Sequence, residues 1–191
     1  VTLNTTDSTT SSFSYTMSDQ HGALSSATVT ITINGLDHAP IANDDSFSTN
    51  EDTAISTGSV LANDTDGDYD PLTITDFDTL SAKGVSITAS GVGTFSYDPS
   101  AVANLQALAV GETTLDTFTY TISDGTGNID TATVNITVSG VNDAITVVAD
   151  TATVNENDSA VIDVLANDAD IDTTDTLTVI GVTTTSSLGT V

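Results

Sequence analysis

The chain reads Phe118-Thr119-Tyr120-Thr121-Ile122-Ser123-Asp124, and a closely similar stretch, Phe13-Ser14-Tyr15-Thr16-Met17-Ser18-Asp19, stands 105 residues earlier. The same offset places residues 27–35 over residues 132–140. Apolar and polar residues alternate in all four stretches, which is the pattern of strands with one buried face. A repeat of about 105 residues has the size of one β-sandwich domain and is far longer than a solenoid unit.

This offset divides the chain into parts of three repeats. A second motif, Val60-Leu61-Ala62-Asn63-Asp64, returns as Val164-Leu165-Ala166-Asn167-Asp168 at an offset of 104, so one residue is gained or lost nearby. The linkers between the parts are very short, and we expect neighbouring repeats to touch end to end. The parts are the C-terminal part of a first repeat (1–37), a complete β-sandwich repeat (38–142) and the N-terminal part of a third (143–191).

Seven short strands are predicted in the complete repeat, because alternation at period two is strong and helical periodicity is weak. Glycines mark turns at Gly91-Val92-Gly93 and within residues 123–128. Residues 101–109 fit either a short helical turn or a crossover loop with buried leucines. Seven such strands indicate an all-β, Greek-key sandwich of the immunoglobulin or cadherin type, repeated in tandem. The predicted strands are residues 45–49, 53–57, 72–79, 84–89, 93–97, 116–123 and 130–139.

Composition excludes several classes of partner. Lys83 is the only lysine or arginine against 27 carboxylates, which gives a formal net charge of −26. Nucleic acids and anionic membranes are disfavoured, because binding to them depends on basic side chains. High charge is also typical of disorder, but the alternating apolar runs favour a folded protein whose carboxylates bind cations. There are no cysteines, so the fold has no disulfides to stabilise it.

The sequence shows neither a membrane span nor an enzyme site. No apolar run approaches the roughly 20 residues that cross a bilayer, and no signal peptide is visible at the start. We expect the sequence to be a piece of a longer chain. His21 and His38 form no metal set and no plausible base, and nothing selects one Ser-His-Asp combination among the many serines and aspartates. The chain is therefore predicted not to be an enzyme.

An acidic loop predicts calcium binding. The segment Asp64-Thr65-Asp66-Gly67-Asp68-Tyr69-Asp70 places four carboxylates at alternate positions around a glycine. In a curled loop these side chains converge, and converging oxygen ligands suit Ca²⁺, which takes about 6–8 of them. The loop is not an EF-hand, because its glycine is at the fourth position and its twelfth residue is Thr75. The third repeat carries Asp168, Asp170 and Asp172 at the same spacing.

Further acids recur between repeats and are predicted to complete the calcium sites. Glu51 returns as Glu156, Asp19 and Asp124 occupy the equivalent turn in successive repeats, and Asp37 and Asp143 lie in the linkers. Isolated acids are expected to be solvated surface groups; these are Asp7, Asp76, Glu112 and Asp116. The predicted metal set is Asp19, Asp37, Glu51, Asp64, Asp66, Asp68, Asp70, Asp124, Asp143, Glu156, Asp168, Asp170 and Asp172.

These motifs together resemble the bacterial cadherin-like and VCBS-type immunoglobulin-like repeats of type I-secreted RTX adhesins. The motifs that carry the resemblance are Asn50-Glu51-Asp52, Leu61-Ala62-Asn63-Asp64, Ser123-Asp124-Gly125 and Gly140-Val141-Asn142-Asp143-Ala144. The resemblance implies calcium clamped at the junctions between domains. It implies base glutamates at Glu51 and Glu156, paired aspartates at Asp66 and Asp68 and at Asp170 and Asp172, and linker ligands at Asp37 and Asp143. The cadherin Asp-Arg-Glu motif and the RTX glycine-rich nonapeptides are both absent from this sequence.

Two functions follow as expectations. The first is a calcium-stabilised extender, a spacer in the stalk of a large bacterial surface adhesin, located outside the cell and joined end to end with neighbouring repeats. The alternative is that the repeat itself binds carbohydrate or another partner. Aromatic content is only 5%, with no tryptophan, and Phe13, Tyr15, Phe118 and Tyr120 are expected to point into the core. The two partial repeats carry complementary parts, which also predicts head-to-tail self-association.

Overall fold

In a computed structural model, the described residues (residue 3 and residues 7–183) form strands and short 3-10 turns. Within this part of the chain no helix is long and apolar enough to span a membrane. The strands are β1 (Ser8–Ser18), β2 (Leu24–Asn34), β3 (Asp45–Asn50), β4 (Ile55–Ser56), β5 (Thr73–Phe77), β6 (Ile87–Gly91), β7 (Thr94–Tyr97), β8 (Thr113–Ser123) and β9 (Ile129–Ser139). The 3-10 turns are Val60–Ala62 and Pro99–Ala101.

Strands β3 to β9 form a two-sheet sandwich. One sheet has the order β3-β9-β8-β5, and the other has the order β4-β7-β6. Neighbouring strands are antiparallel except β3, which pairs in parallel with β9 from Asp45 opposite Val134 to Asn50 opposite Ser139. Seven strands in two sheets are the immunoglobulin arrangement. The predicted all-β, immunoglobulin-like sandwich is confirmed.

The core lies between the two sheets and is centred on aromatic rings. Phe95 of β7 packs against Phe77 and Phe118 with ring centroids 5.0 and 5.2 Å apart. Alternate residues of β8 and β9 point inward, so that Tyr120 and Val134 have no exposed surface. The energetics of the fold thus rest on this period-two burial, since each buried apolar side chain contributes about 1.5–3 kcal/mol.

All seven predicted strands are present, with shifted ends. The predicted strand 53–57 is only two residues long in the structure, and β8 begins at Thr113 instead of residue 116. For residues 101–109 the sequence left two alternatives, a short helical turn or a crossover loop, and the structure shows the crossover loop. A 3-10 turn ends at Ala101, and the turns that follow bury Leu105, which is 1% exposed.

The hairpin of β1 and β2 reproduces the hairpin of β8 and β9 at the repeat offset. Ser8 pairs with Asn34, as Thr113 pairs with Ser139. The expectation that its aromatic residues point into a core is wrong for this copy, because Phe13 is 56% exposed and the other aromatic, Tyr15, is 42% exposed. The hairpin pairs with no other described strand, and no second sheet of the described residues covers its apolar face.

The segment after β9 repeats the loops of the central sandwich but not its strands. Thr146 and Ala169 form an isolated antiparallel bridge. The same bridge joins Ile41 and Thr65 in the central repeat. Residues 143–183 contain no strand, so the loops that carry its acids fold without the sheets that support them elsewhere.

One acid predicted to lie on the surface is buried. Asp116 has no exposed surface, and its carboxylate accepts hydrogen bonds from Ser81 Oγ at 2.5 Å, from Tyr97 Oη at 2.9 Å and from the backbone N–H of Lys83 at 2.8 Å. The interpretation of Asp116 as a solvated group was wrong. It failed because position 116 shares the inward face of β8 with Phe118 and Tyr120.

Candidate metal centre

Glu51 is the buried carboxylate at the base of the central sandwich. It follows β3, and its backbone N–H donates to the carbonyl of Ser139 at 3.0 Å. Its side chain has no exposed surface. One carboxylate oxygen, Oε1, accepts a 2.7 Å hydrogen bond from the backbone N–H of Val141, whereas the other, Oε2, is buried with no hydrogen-bond partner.

Two aspartates from other parts of the chain meet Glu51. Asp143 comes from the linker after β9, and Asp172 comes from the acidic loop of the following segment. Oxygen atoms of the three carboxylates all lie within 4.8 Å of one another. Asp172 is 1% exposed, and Asp143 Oδ2 and Asp172 Oδ1 are also buried without a hydrogen-bond partner. We call this set the Glu51 cluster.

The Glu51 cluster is electrostatically unfavourable without a cation. Burial raises the pKa of Glu51, the hydrogen bond from the backbone of Val141 lowers it, and the carboxylates of Asp143 and Asp172 raise it further, so that the pKa is raised overall. Burial also raises the pKa of Asp143, as do the charges of Asp52, Asp172 and Asp170. Carboxylate oxygens that are shielded from water and lack a partner destabilise the folded state. A bound cation would satisfy the unpartnered oxygens and remove this cost.

A second cluster occupies the first linker. Asp37, Asp68 and Asp70 bring carboxylate oxygens within 4.8 Å of one another. Protein donors bind the carboxylates of Asp37 and Asp68. Asp37 Oδ2 accepts from Thr126 Oγ1 at 2.8 Å and Asn128 Nδ2 at 2.6 Å.

Asp68 is held by the first linker as well. Both of its oxygens face His38, with Oδ2 accepting from the backbone N–H at 2.8 Å and Oδ1 lying 3.0 Å from Nδ1. Burial raises the pKa of Asp70, and so do the charges of Asp66, Asp68, Asp37 and Asp124. This second cluster therefore differs from the Glu51 cluster, because polar side chains from the β8–β9 turn and from His38 stabilise part of its charge.

A third set shares Asp172 with the Glu51 cluster. Asp170, Asp172 and Asp175 also place carboxylate oxygens within 4.8 Å of one another. The sequence prediction did not include Asp175. Its signal was present: the repeat offset returns to 105 at Leu72 and Leu177, and this aligns Asp175 with Asp70.

Other predicted ligands shape the loops. Asp66 Oδ1 accepts from the backbone N–H of Asp68 at 2.7 Å, and Asp170 Oδ1 accepts from that of Asp172 at 3.1 Å. The first carboxylates of the two acidic loops, Asp64 and Asp168, both bind backbone N–H groups, those of Asn43 and Val148, at 2.8 Å. These repeated hydrogen bonds curl each loop, and the curl turns the later carboxylates toward the linker.

The remaining predicted ligands lie outside the three sets. Asp124 is buried and accepts from Asn128 Nδ2 at 2.9 Å. Burial acts to raise its pKa, but hydrogen bonds from Asn128 and Thr126 lower it overall. Asp19 is exposed and caps its own turn through the backbone N–H groups of His21 and Ala23. Glu156 is exposed, and the structure brings it to no other acid of a metal set.

The donor chemistry of the Glu51 cluster fits a hard cation. Every converging ligand atom is a carboxylate oxygen, and calcium and magnesium prefer oxygen ligands, whereas softer metals prefer nitrogen and sulfur. Glu51, Asp143 and Asp172 each have a buried oxygen without a hydrogen-bond partner, and a bound cation would satisfy all three. This arrangement can bind a cation, and a cation bound here would link three separate segments of the chain, because each carboxylate comes from a different segment.

Comparison with known proteins identifies the family. A family model described as a bacterial Ig domain matches residues 37–137, which is more than half of the chain. The chain belongs to the bacterial Ig domain family. This membership confirms that the module is not an enzyme, and it agrees with the seven-stranded sandwich described above.

A relative and two solved structures were also found. The calcium-binding lectin RapA2 of Rhizobium johnstonii is 35% identical over 138 residues, covering 66% of this chain and 58% of the lectin. The chain thus spans somewhat more than half the length of that relative. A nucleoside hydrolase-related hypothetical protein from Saccharophagus degradans, associated with carbohydrate metabolism, is 16% identical with a TM-score of 0.33 and covers 55% of this chain and 26% of its own. The EC3-6 region of protocadherin gammaB7 is 16% identical with a TM-score of 0.36 and covers 76% of this chain and 36% of its own.

Proposed function

We propose that this chain is a calcium-stabilised extender from the stalk of a bacterial surface adhesin, exposed outside the cell. The observation that carries the proposal is the Glu51 cluster. Its three carboxylates come from the central sandwich, from the linker and from the next repeat, and each contributes a buried oxygen without a partner. Calcium bound to Glu51, Asp143 and Asp172 joins two repeats through the linker between them.

The proposed stalk consists of repeats that stack end to end. On this view residues 1–37, 38–142 and 143–191 belong to three successive repeats, with the Glu51 cluster at one junction and the Asp37-Asp68-Asp70 cluster at the other. Without calcium the carboxylates repel one another and the linkers can bend. With calcium each junction becomes stiff, so that the stalk extends only where calcium is abundant, as it is outside the cell.

Calcium binding by matched variants tests the proposal. Glu51→Gln keeps the size of the side chain and an acceptor for Val141 but removes the charge, so we expect calcium affinity at this junction to fall at least tenfold in isothermal titration. Asp76→Asn is the matched control, because Asp76 is exposed and belongs to none of the acid sets. Equal calcium isotherms for the two variants would show that the assignment of Glu51 is wrong.

Small-angle scattering tests the spacer role separately. We expect calcium to lengthen the maximum dimension of the chain and to narrow its distribution of distances, because one junction conformation is selected. The Asp172→Asn variant should stay in the calcium-free profile at the same calcium concentration. If the chain binds calcium but its scattering does not change, the metal site is supported and the extender role is contradicted.

A second candidate function is binding of carbohydrate, and two observations favour it. The relative RapA2 is named as a calcium-binding lectin. Tyr69, in the acidic loop, is 83% exposed and has a φ of 63°, which is rare for a residue with a side chain. An exposed aromatic ring beside Asp66 and Asp70 provides a flat surface and polar groups of the kind that bind sugars.

Binding to immobilised bacterial polysaccharide tests this candidate. Tyr69→Ala should abolish retention on a polysaccharide column in calcium, while Val92→Ala, which truncates another highly exposed side chain, should not alter it. If the column does not retain the native chain in calcium, carbohydrate binding is contradicted and the extender function is the one that stands.

A further inference from the structure

Two segments at one edge of the central sandwich run side by side in the same direction. Strand β3 pairs in parallel with β9, from Asp45 opposite Val134 to Asn50 opposite Ser139. Hydrogen bonds between the same two segments continue this contact beyond both ends of β3. The segments are residues 37–51 and 126–141, and we call them the parallel pair.

Carboxylates extend the parallel pair on the side that precedes β3. Asp44 Oδ1 accepts from the backbone N–H of Thr133 at 2.8 Å, and Asp130 Oδ2 accepts from the backbone N–H of Ala42 at 2.9 Å. The hydrogen bonds of Asp37 with the turn before β9 carry the contact on to the first linker. Each of these bonds joins one segment to the other, so the two segments stay fastened where the strand pairing ends.

Glu51 extends the parallel pair on the side that follows β3. Its backbone N–H donates to the carbonyl of Ser139 at 3.0 Å, and its Oε1 accepts from the backbone N–H of Val141 at 2.7 Å. The Ser139 hydroxyl also donates to the carbonyl of Thr49 at 3.3 Å. The parallel pair is therefore fastened from the first linker to the second.

The chain enters the central repeat at one end of the parallel pair and leaves it at the other. The first linker lies beside the turn that precedes β9, and the second linker follows the far end of β9. A pull on the two linkers therefore slides one segment along the other. The hydrogen bonds of a parallel ladder are evenly spaced, so they share this load and must break together.

We infer that the parallel pair bears the tension that is applied along this repeat. Neither linker leads directly into β5 or β8, so the load reaches these strands only after the parallel pair has separated. Forced unfolding is governed by the rate of unfolding, and that rate depends on the bonds that must break first. The inference rests on the proposed function only for the source of the tension, because a stalk is stretched along its length.

Single-molecule force spectroscopy in two directions tests the inference. The chain contains no cysteine, so an introduced pair defines where the handles are attached. Leu36→Cys with Ala144→Cys pulls along the parallel pair, whereas Leu36→Cys with Thr131→Cys pulls its two segments apart from one end. We expect a several-fold higher unfolding force in the first direction at the same pulling speed. The release of roughly 300 Å of chain identifies unfolding of the central repeat.

Two matched variants locate the resistance in the parallel pair. Asp78 Oδ2 accepts from the backbone N–H of Thr119 at 2.7 Å, a bond like that of Asp44 but outside the pair. Asp44→Ala and Asp78→Ala both delete an exposed carboxylate that binds a backbone N–H, so we expect similar falls in melting temperature. Only Asp44→Ala should lower the unfolding force along the pair.

Chelator in every run keeps the result separate from the calcium proposal. Equal unfolding forces in the two directions, or equal losses of force in the two variants, would overturn the inference and leave the calcium site unaffected. A chain that binds no calcium but resists force along the parallel pair would instead contradict the calcium junction and support the load-bearing role.

Discussion

At the scale of single residues, Asp116 is the clearest test of what the core requires. Its buried carboxylate accepts hydrogen bonds from Ser81, Tyr97 and the backbone of Lys83. Asp116→Ala leaves these donors without partners, and each buried unsatisfied group costs about 1–3 kcal/mol. We expect the free energy of unfolding to fall by about 3 kcal/mol in urea titrations, with calcium affinity unchanged.

The control for Asp116 is Asp76→Ala, because Asp76 is exposed and surface substitutions usually change stability by less than about 0.5 kcal/mol. Similar losses for both variants would mean that Asp116 has no special role. A loss of calcium affinity in Asp116→Ala would instead link the core carboxylate to the metal sites.

Asp45 gives the fold a dependence on pH. Burial raises its pKa from 3.8 to about 6, with further increases from the charges of Asp64 and Asp44 and a decrease from the Tyr120 hydrogen bond. The folded state therefore holds this proton more tightly than the unfolded state, so the contribution of Asp45 is greatest in acid and is lost as pH rises toward 6. In chelator, we expect Asp45→Asn to flatten the decline of the melting temperature between pH 4 and 6.

Asp98 is a control for the pH dependence of the melting temperature, because its pKa is shifted in the direction opposite to that of Asp45. Hydrogen bonds from the hydroxyl and backbone of Ser100 lower its pKa, so its contribution grows as pH rises. In Asp98→Asn, the melting temperature should fall between pH 4 and 6 at least as steeply as it does in the native chain. If Asp45→Asn shows the native profile, another buried acid is responsible for it.

At the scale of elements, the repeat and the period-two pattern predicted most of the fold. The apolar alternation around Phe118 and Tyr120 placed β8 and its partner strand. The same alternation could have revealed Asp116, whose inward position follows from counting along β8. The inward position predicted for Phe13 is wrong because burial depends on a second sheet, and no second sheet of the described residues covers this hairpin.

The candidate site was predictable to the extent that its residues repeat. Glu51, Asp143 and Asp172 were all selected from motif and spacing, but their convergence depends on how the linker folds back, which spacing alone does not define. Glu156 was selected because it repeats Glu51, and it lies exposed in the structure. Repetition therefore identified the ligand types, while tertiary contacts decided which copies meet.

The junction depends on one close backbone approach. A Cβ atom on Gly140 would lie 2.2 Å from the carbonyl oxygens of Leu108 and Ala109, far inside van der Waals contact. Gly140→Ala must displace the end of β9, and the displacement carries the N–H of Val141 away from Glu51. We expect a lower melting temperature in chelator and at least a tenfold loss of calcium affinity, measured by calorimetry and titration on the same sample.

Gly58→Ala is the matched control for Gly140, because a Cβ atom there would meet only a ring carbon of Phe47 at 3.5 Å, an ordinary contact. Gly58→Ala should leave both the melting temperature in chelator and the calcium affinity close to their native values. A Gly140→Ala variant that is destabilised but keeps native calcium affinity would show that the linker and the Glu51 cluster are not coupled.

At the scale of the whole molecule, the formal net charge of −26 has two separable effects. Diffuse repulsion among exposed carboxylates weakens as salt screens it, with a Debye length of about 10 Å at 0.1 M. Repulsion inside the Glu51 cluster is screened much less, because its oxygens are buried. Sodium chloride should therefore relieve only the first effect, whereas a bound cation relieves the second.

Thermal melts at fixed ionic strength separate these effects. Sodium chloride should raise the melting temperature of the chelated chain modestly. Calcium at millimolar concentration should raise it further at the same ionic strength, because a ligand at about 100 times its dissociation constant adds about 2.7 kcal/mol to the folded state. Magnesium should do less, since it requires near-octahedral geometry and gives up its water reluctantly. Glu51→Gln should lose most of the calcium increment and keep the sodium increment; if sodium alone reproduces the whole rise, the acids act only as diffuse charge.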